Sequence, residues 1–176
     1  MPQTEQFTLA DGRVLTIRPL TVSDYTAVQE YLEQLATETI FTNQYVGRPR
    51  ATPEKYAAAL AHDWRLSAWD GHRLAGFVSA GFQADHKWYR HTCSFGIHAL
   101  AAYHRQGLGT YLMTRLEQWA RENHMHRIEG EVRIPNWAGL NLYLKHGFQI
   151  EGCLRQIALI DGQWYDHYMI AKILEM

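Results

Sequence analysis

Cysteine is scarce: Cys93 and Cys153 are the only two in 176 residues, too few for a disulfide scaffold or a cysteine-built zinc site. Both are expected to pack as small apolar groups in a reducing compartment. Neither sign of charge dominates. Seventeen Lys and Arg against 18 Asp and Glu leave a formal net charge of -1, so no global field favours nucleic acid or an anionic membrane. No run of about 18 apolar residues could span a bilayer. The opening Met1-Pro2-Gln3-Thr4-Glu5-Gln6 lacks the basic-then-apolar pattern of a signal peptide, and a cytoplasmic location is expected. The ten histidines are scattered; the closest pair, His124 and His126, fits a helix end and a strand start, so no metal is expected. There is no internal repeat and no low-complexity linker, which predicts one domain over residues 1–176.

What is present is a globular composition, 47% apolar and 20% charged. Residues 7–9 and 14–17 flank Asp11-Gly12, a hairpin signal. Ser23 or Thr21 can cap a helix carrying Tyr25, Val28, Leu32 and Leu35, and Thr52-Pro53 starts a second. Residues 65–69 and 74–82 read as strands joined by Asp70-Gly71, residues 92–99 as the next, and residues 127–134 as another. Asn136 opens a short helix ending near His146-Gly147, and residues 148–160 and 164–174 form a last hairpin around Asp161-Gly162. This order predicts an α/β (α+β) sandwich on a mostly antiparallel sheet. The strands at 92–99 and 127–134, linked by a helix, should be neighbours and parallel. Each carries an interior glycine, Gly96 and Gly130, marking either a bulge or a close approach by another backbone.

The stretch with most chemical content is Tyr103-His104-Arg105-Gln106-Gly107-Leu108-Gly109-Thr110, where a loop enters a helix reaching about residue 123 with Leu108, Leu112, Leu116, Trp119 and Ala120 on one face. Unpaired N–H groups and the helix dipole make such an entrance a seat for phosphate, with Arg105 as a charge partner. The plainer reading is a tight turn before a structural helix. The dinucleotide fingerprint and the P-loop are both absent: Leu112 stands where the first needs glycine, and no Gly-Lys-Ser/Thr follows.

These residues resemble the GCN5-related N-acetyltransferase (GNAT) family. The run from Tyr103 to Gly109 is similar to its (Gln/Arg)-x-x-Gly-x-(Gly/Ala) motif. Glu131-Val132-Arg133-Ile134-Pro135-Asn136, then Leu142-Tyr143-Leu144-Lys145-His146-Gly147-Phe148, are similar to its Glu-Val-Arg-x-x-Asn and Leu-Tyr-x-Lys-x-Gly-Phe pattern. His104 departs from the usual Gln or Arg, and Gly139 from the usual Ala.

The resemblance implies a GNAT-type sheet with a splayed parallel strand pair and helices on both faces. It implies acetyl-CoA as acyl donor and no metal. The pyrophosphate would sit on the N–H groups of Arg105, Gln106, Gly107, Leu108, Gly109 and Thr110. The pantetheine arm would pair like a strand with Ile97, His98 and Ala99, and Asn136 would reach the same arm. Catalysis would be direct amine attack on the thioester. Glu131 matches the general base and Tyr143 the general acid. Strand alternation puts Glu129, Glu131 and Arg133 on one face, which keeps Glu129 open as a base and an ordinary surface carboxylate open for either. A packed core role stays open for Tyr143. Amides near His98 and Ala99 could stabilise the oxyanion.

Residues 38–50 and Trp164-Tyr165 are the expected acceptor walls, with Glu33, Glu38 or Asp85 as weak candidates to meet a cationic amine. The closing pattern Gly147-Phe148-x-x-Glu151-Gly152 with Ile160-Asp161-Gly162 looks most like acetyltransferases of small amines such as amino acids or polyamines, and is also similar to those of ribosomal-protein N-termini. A homodimer is implied too. A non-catalytic CoA-binding domain on the same fold is the alternative of another class.

Overall fold

The alternation at the start of the chain builds a hairpin, β1 (Glu5–Thr8) antiparallel to β2 (Val14–Pro19), with Leu15 and Ile17 turned inward. The computed structural model describes residues 4–82 and 86–175. The turn is wider than the expected two residues. Leu9 N donates to Arg13 O, and the Asp11 carboxylate accepts from Arg13 N and Nε, closing a loop over residues 9–13.

A 3-10 turn, Val22–Asp24, leads into α1 (Tyr25–Glu38). Thr21 N and Oγ1 both donate to Asp24 Oδ2, and Arg18 forks onto the same carboxylate at 2.7 Å from each terminal nitrogen. That guanidinium holds the Asp24 carboxyl below its ordinary range, against the opposing effect of burial. Val28, Tyr31 and Leu35 form the inner face of α1. Pro53 begins α2 (Pro53–His62) with Thr52 as its cap, accepting from Lys55 N at 3.3 Å.

Two longer strands follow, β3 (Trp64–Asp70) and β4 (Arg73–Phe82), paired antiparallel. Asp70 pairs with Arg73, so the tight turn is Gly71-His72 rather than Asp70-Gly71; the Asp70 carboxylate accepts from the Tyr103 hydroxyl at 3.1 Å. The remaining elements are β5 (Thr92–Ala99), α3 (Leu108–Glu122), β6 (Arg127–Arg133), α4 (Trp137–Lys145), β7 (Gln149–Ile160) and β8 (Gln163–Ile173). On α3, Leu108, Leu112, Leu116 and Ala120 are fully buried as expected; Met113 joins them, while Trp119 is only half-buried.

The eight strands run β1-β2-β3-β4-β5-β6-β8-β7 across one sheet. Among the described pairs only β5 and β6 are parallel, with Thr92, Cys93 and Ser94 opposite Arg127, Ile128 and Glu129. At Gly130 it is a side chain that approaches, where a bulge or another backbone was expected: a Cβ there would lie 2.8 Å from the Phe95 ring. The β7–β8 turn is Asp161-Gly162, with φ of 49° and 79° as a type I′ turn requires.

The chain forms two compact units, Met1–Gly81 with Gly96–Met113, and Phe82–Phe95 with Thr114–Met176. In the second, Glu117 on α3 accepts from Lys172 Nζ at 2.6 Å and stands 2.9 Å from His146 Nδ1, tying α3 to β8 and the end of α4. Among the described residues no helix is long and apolar enough to cross a membrane, and no group of His, Cys, Asp or Glu could hold a metal.

Burial gives the chain an alkaline limit. Burial pushes the Tyr56 and Tyr143 hydroxyls and the Cys93 thiol up to about 12, and raises Tyr31 further. Each folded value lies above the unfolded one, so the folded form keeps protons that the unfolded chain releases. The stability they contribute is complete below pH about 8.5 and falls as pH rises toward 12, by up to about 1.4 kcal/mol per pH unit for each group. Thermal melts should be flat from pH 7 to 8 and drop steeply above pH 10; an unchanged melting temperature at pH 11.5 would contradict this.

Candidate active site

In the first unit the segment leading into α3 is held at both ends. Leu100 N donates to Ala75 O, and Ala101 N to Glu38 Oε2 at 2.7 Å. Tyr103 is buried, with the Arg13 guanidinium stacked 4.7 Å from its ring centre while Arg13 Nη2 donates to Ala102 O. His104 Nε2 lies 2.9 Å from Ala99 O; a carbonyl only accepts, so the ring donates and ties the loop back to β5. Gln106 faces the β1–β2 turn, where its backbone and side-chain oxygens accept from Ala10 N and Asp11 N. Both of its oxygens are thus engaged, which leaves its backbone N–H and side-chain Nε2 as donors toward a ligand.

Between these anchors Arg105 and Gly107 adopt φ of 57° and 88°. The alternation of left- and right-handed residues turns successive N–H groups to one side, as in anion-binding nests. Among the described residues, the amides of Arg105, Gln106, Gly107, Leu108 and Gly109 donate no backbone hydrogen bond, and Tyr111 N donates to Gly107 O. Five consecutive open donors at a helix N-terminus form a strong site for an anionic group. Arg105 is exposed with no ion pair recorded among the described residues, so its charge is available to the same group.

Ile97, His98 and Ala99, the expected pantetheine strand, are partly buried. The His98 ring lies 5.7 Å from that of Phe77, and burial pushes its pKa down to about 4. It is therefore neutral at working pH, and its buried Nδ1 has no hydrogen-bond partner among the described residues.

In the second unit, β6 alternates as expected. Ile128 and Val132 point into the core; Arg127, Glu129, Glu131 and Arg133 share the other face. The two candidate bases differ in their partners. Glu129 Oε2 accepts from Arg127 Nε at 2.8 Å, and the Arg127 terminal nitrogens fork onto Glu151. Glu131, half-exposed, has His167 Nδ1 at 3.1 Å from Oε2. Sequence reasoning missed His167, because it reaches Glu131 only through the β6–β8 register, which sets Arg133 opposite His167.

Asn136 caps α4, its Oδ1 accepting from Gly139 N at 3.0 Å. A Cβ on residue 139 would stand 2.7 Å from Asn136 Nδ2, so the unexpected glycine makes room for the cap. Nδ2 of Asn136 and the second lone pair of Oδ1 remain for a ligand. Tyr143, two turns further, is buried edge-on to Phe95 with ring centres 5.2 Å apart. Its hydroxyl has no hydrogen-bond partner among the described residues.

The alternative nucleophiles do not fit. Cys93 is 1% exposed with its thiol pushed up to about 12, so almost no thiolate forms at neutral pH. Cys153 is exposed and, among the described residues, its thiol makes no hydrogen bond or ion pair. The weak candidates for a cationic amine are spent within the first unit: Glu33 pairs with both donors of Arg50, and Glu38 accepts from Gln34 and Ala101. Asp85 lies outside the described residues. The loop expected to wall the acceptor does line a cleft of about 600 Å3 against α1, with Glu33, Tyr45, Arg48, Arg50 and Lys55 on its walls. Trp164 is exposed on its hairpin.

Comparison with known proteins gives a consistent result. The profile of the family described as Acetyltransferase (GNAT) family matches residues 29–148. The chain is 31% identical to the L-amino acid N-acetyltransferase AaaT of Escherichia coli K12 over 47% of its own length, and that match spans about half (52%) of the relative. It is 25% identical to the L-amino acid N-acyltransferase MnaT of the same organism, over 86% of this chain and 90% of that one. Among solved structures, an acetyltransferase of the GNAT family from Streptococcus pneumoniae superposes with a TM-score of 0.85 at 28% identity, covering 91% of this chain and 99% of the other.

Proposed function

Because this chain belongs to the GNAT acetyltransferase family, we propose that it is an N-acetyltransferase moving the acetyl group of acetyl-CoA to a primary amine of a small molecule, an amino acid before a polyamine. The observation that carries this reading is the run of open amides from Arg105 to Gly109 at the mouth of α3. A pyrophosphate meets there five N–H donors, the positive end of a 15-residue helix and the Arg105 guanidinium. The neutral Ala99 and His98 backbone leads the acyl-bearing arm.

A lysine-like amine holds its proton to about pH 10.4 and cannot attack while protonated. Glu131 accepts that proton, directly or through one water. Glu129 is the poorer base because Arg127 compensates its charge. The freed nitrogen attacks the thioester carbon; the C–N bond forms, the nitrogen gives up its second proton to water, the C–S bond breaks, and CoA leaves as thiolate. Tyr143 meets that sulfur as a neutral hydrogen-bond donor. Burial pushes its hydroxyl up to about 12, so Tyr143 keeps its proton at neutral pH and is able to hand it to, or share it with, the departing sulfur as general acid. The cleft beside α1 has the volume of a small-molecule site, and Arg48 and Lys55 on its walls suit the carboxylate of an amino acid.

The test is a panel of the twenty L-amino acids, spermidine and a peptide with a free N-terminal alanine, each with acetyl-CoA and release of free thiol as the readout. Turnover fastest with an L-amino acid is expected. Turnover of the peptide alone would move the acceptor to a protein N-terminus, and no turnover with any amine would overturn the enzymatic reading.

A further inference from the structure

The outward face of β6 ends in a hydrogen-bonded chain whose middle member comes from β8. Arg133 Nε donates to His167 Nε2 at 3.2 Å, and His167 Nδ1 stands 3.1 Å from Glu131 Oε2. A guanidinium has donors and no acceptor, so Nε2 must be the accepting nitrogen. The single proton of the neutral ring is then on Nδ1, facing the carboxylate. The ladder explains the reach: Arg133 is directly opposite His167, Glu131 is opposite Met169, and the ring spans the diagonal.

Packing alone does not account for this arrangement. Arg133 is buried, and among the described residues it has no carboxylate partner, with Nη1 unpaired. An apolar residue of similar size would be the more stable choice there. What the guanidinium does is fix which ring nitrogen carries the proton. Glu131 benefits on one oxygen only: Oε2 is engaged by a neutral donor, which orients the carboxylate without compensating its charge. That differs from Glu129, held by a guanidinium. The ring is well buried, at 12% exposure, while the Glu131 side chain is 52% exposed, so a fixed anchor holds an open reactive end.

We propose that His167 is a positioning residue for the proton-accepting carboxylate of Glu131, and that Arg133 sets the ring tautomer that makes it one. This rests on Glu131 being the base, as proposed above. It follows the general pattern in which a catalytic base is itself oriented by a third group.

Substitutions at His167 separate positioning from packing. The Asn amide nitrogen can occupy the place of Nδ1, whereas Ala offers no donor. With acetyl-CoA and the fastest acceptor of the amino-acid panel, His167→Ala should lower kcat about tenfold, the effect of one lost hydrogen bond to a charged group, with KM for the amine and the acetyl-CoA Kd within about twofold. His167→Asn should stay within about threefold of the parent, and ring 15N spectra of the unmodified protein should show the proton on Nδ1. A proton on Nε2 overturns the proposal. So does His167→Asn as slow as His167→Ala, or a full-rate His167→Ala beside a slow Glu131→Gln. If His167→Ala fails to fold, the Asn variant and the ring spectrum decide. A Glu131→Gln variant at the parental rate would instead remove the base itself, an outcome distinct from failure of the His167 role.

Discussion

Glu131→Gln lowers kcat by about a hundred- to a thousandfold while acetyl-CoA affinity stays within about twofold, the range expected when a general base is lost. The substitution is nearly isosteric. The amide oxygen can still accept from His167 Nδ1, so the ring, Arg133 and the β6–β8 ladder keep their places. What disappears is the capacity to take a proton from the attacking amine. Glu129→Gln is the matched control on the same strand face. Its carboxylate is already held by Arg127, so the variant should retain kcat within about threefold, with at most about 1 kcal/mol lost from a half-exposed pair. Steady-state kinetics of the two variants side by side, with acetyl-CoA binding by calorimetry, checks both statements. Equal losses at the two positions would deny the distinction between them.

Gly76→Ala destabilises the protein by about 3 kcal/mol, at the upper end of overpacking costs, lowering the melting temperature by about 6–12 °C. A Cβ on Gly76 would sit 2.6 Å from His98 O, with Ala99 Cα and Cβ both at 3.1 Å. The His98 oxygen and Ala99 Cα are backbone, so no rotamer change relieves them; β4 and β5 must separate. The strand that moves carries His98 and Ala99, so acetyl-CoA affinity should fall with stability. Gly96 provides the contrast on β5. Its nearest neighbours would be Ser79 Oγ at 3.5 Å and His98 Cε1 at 3.6 Å, ordinary contacts. Gly96→Ala should therefore melt within about 2 °C of the parent. Thermal unfolding followed by circular dichroism distinguishes the pair, and a Gly76→Ala protein melting with its parent would show that β4 can yield.

Much of this architecture was legible because it depends on local chemistry. Residues 92–99 form β5 at the expected bounds, the Leu108–Leu112–Leu116 stripe forms the buried face of α3, and Asp161-Gly162 makes a type I′ turn. The parallel β5–β6 pair followed from the helix that links the two strands. What stayed hidden depends on register and on side chains from distant segments. Asp11-Gly12 carries the same signal as Asp161-Gly162, yet Arg13 bonds to Asp11 and the turn widens. Gln106 is bound to the β1–β2 turn, and Glu33 and Glu38 are engaged by Arg50 and Ala101; none of these partners is adjacent in sequence. Gly139 looked like a defect in a helix until the Asn136 cap occupied the space of its missing Cβ. His167 could be found only once Arg133 was known to stand opposite it.

The central claim is that the open amides of Arg105 to Gly109 grip a pyrophosphate, and calorimetric titration with acetyl-CoA and with S-acetylpantetheine, which has the same thioester arm and lacks the 3′-phospho-ADP half that carries the pyrophosphate, with adenosine 3′,5′-bisphosphate as the control for the nucleoside, tests it most directly. Acetyl-CoA should bind at least about a hundredfold more tightly, the equivalent of one or two charge-assisted hydrogen bonds. Equal affinities for the two thioesters, or no heat with either, would contradict it.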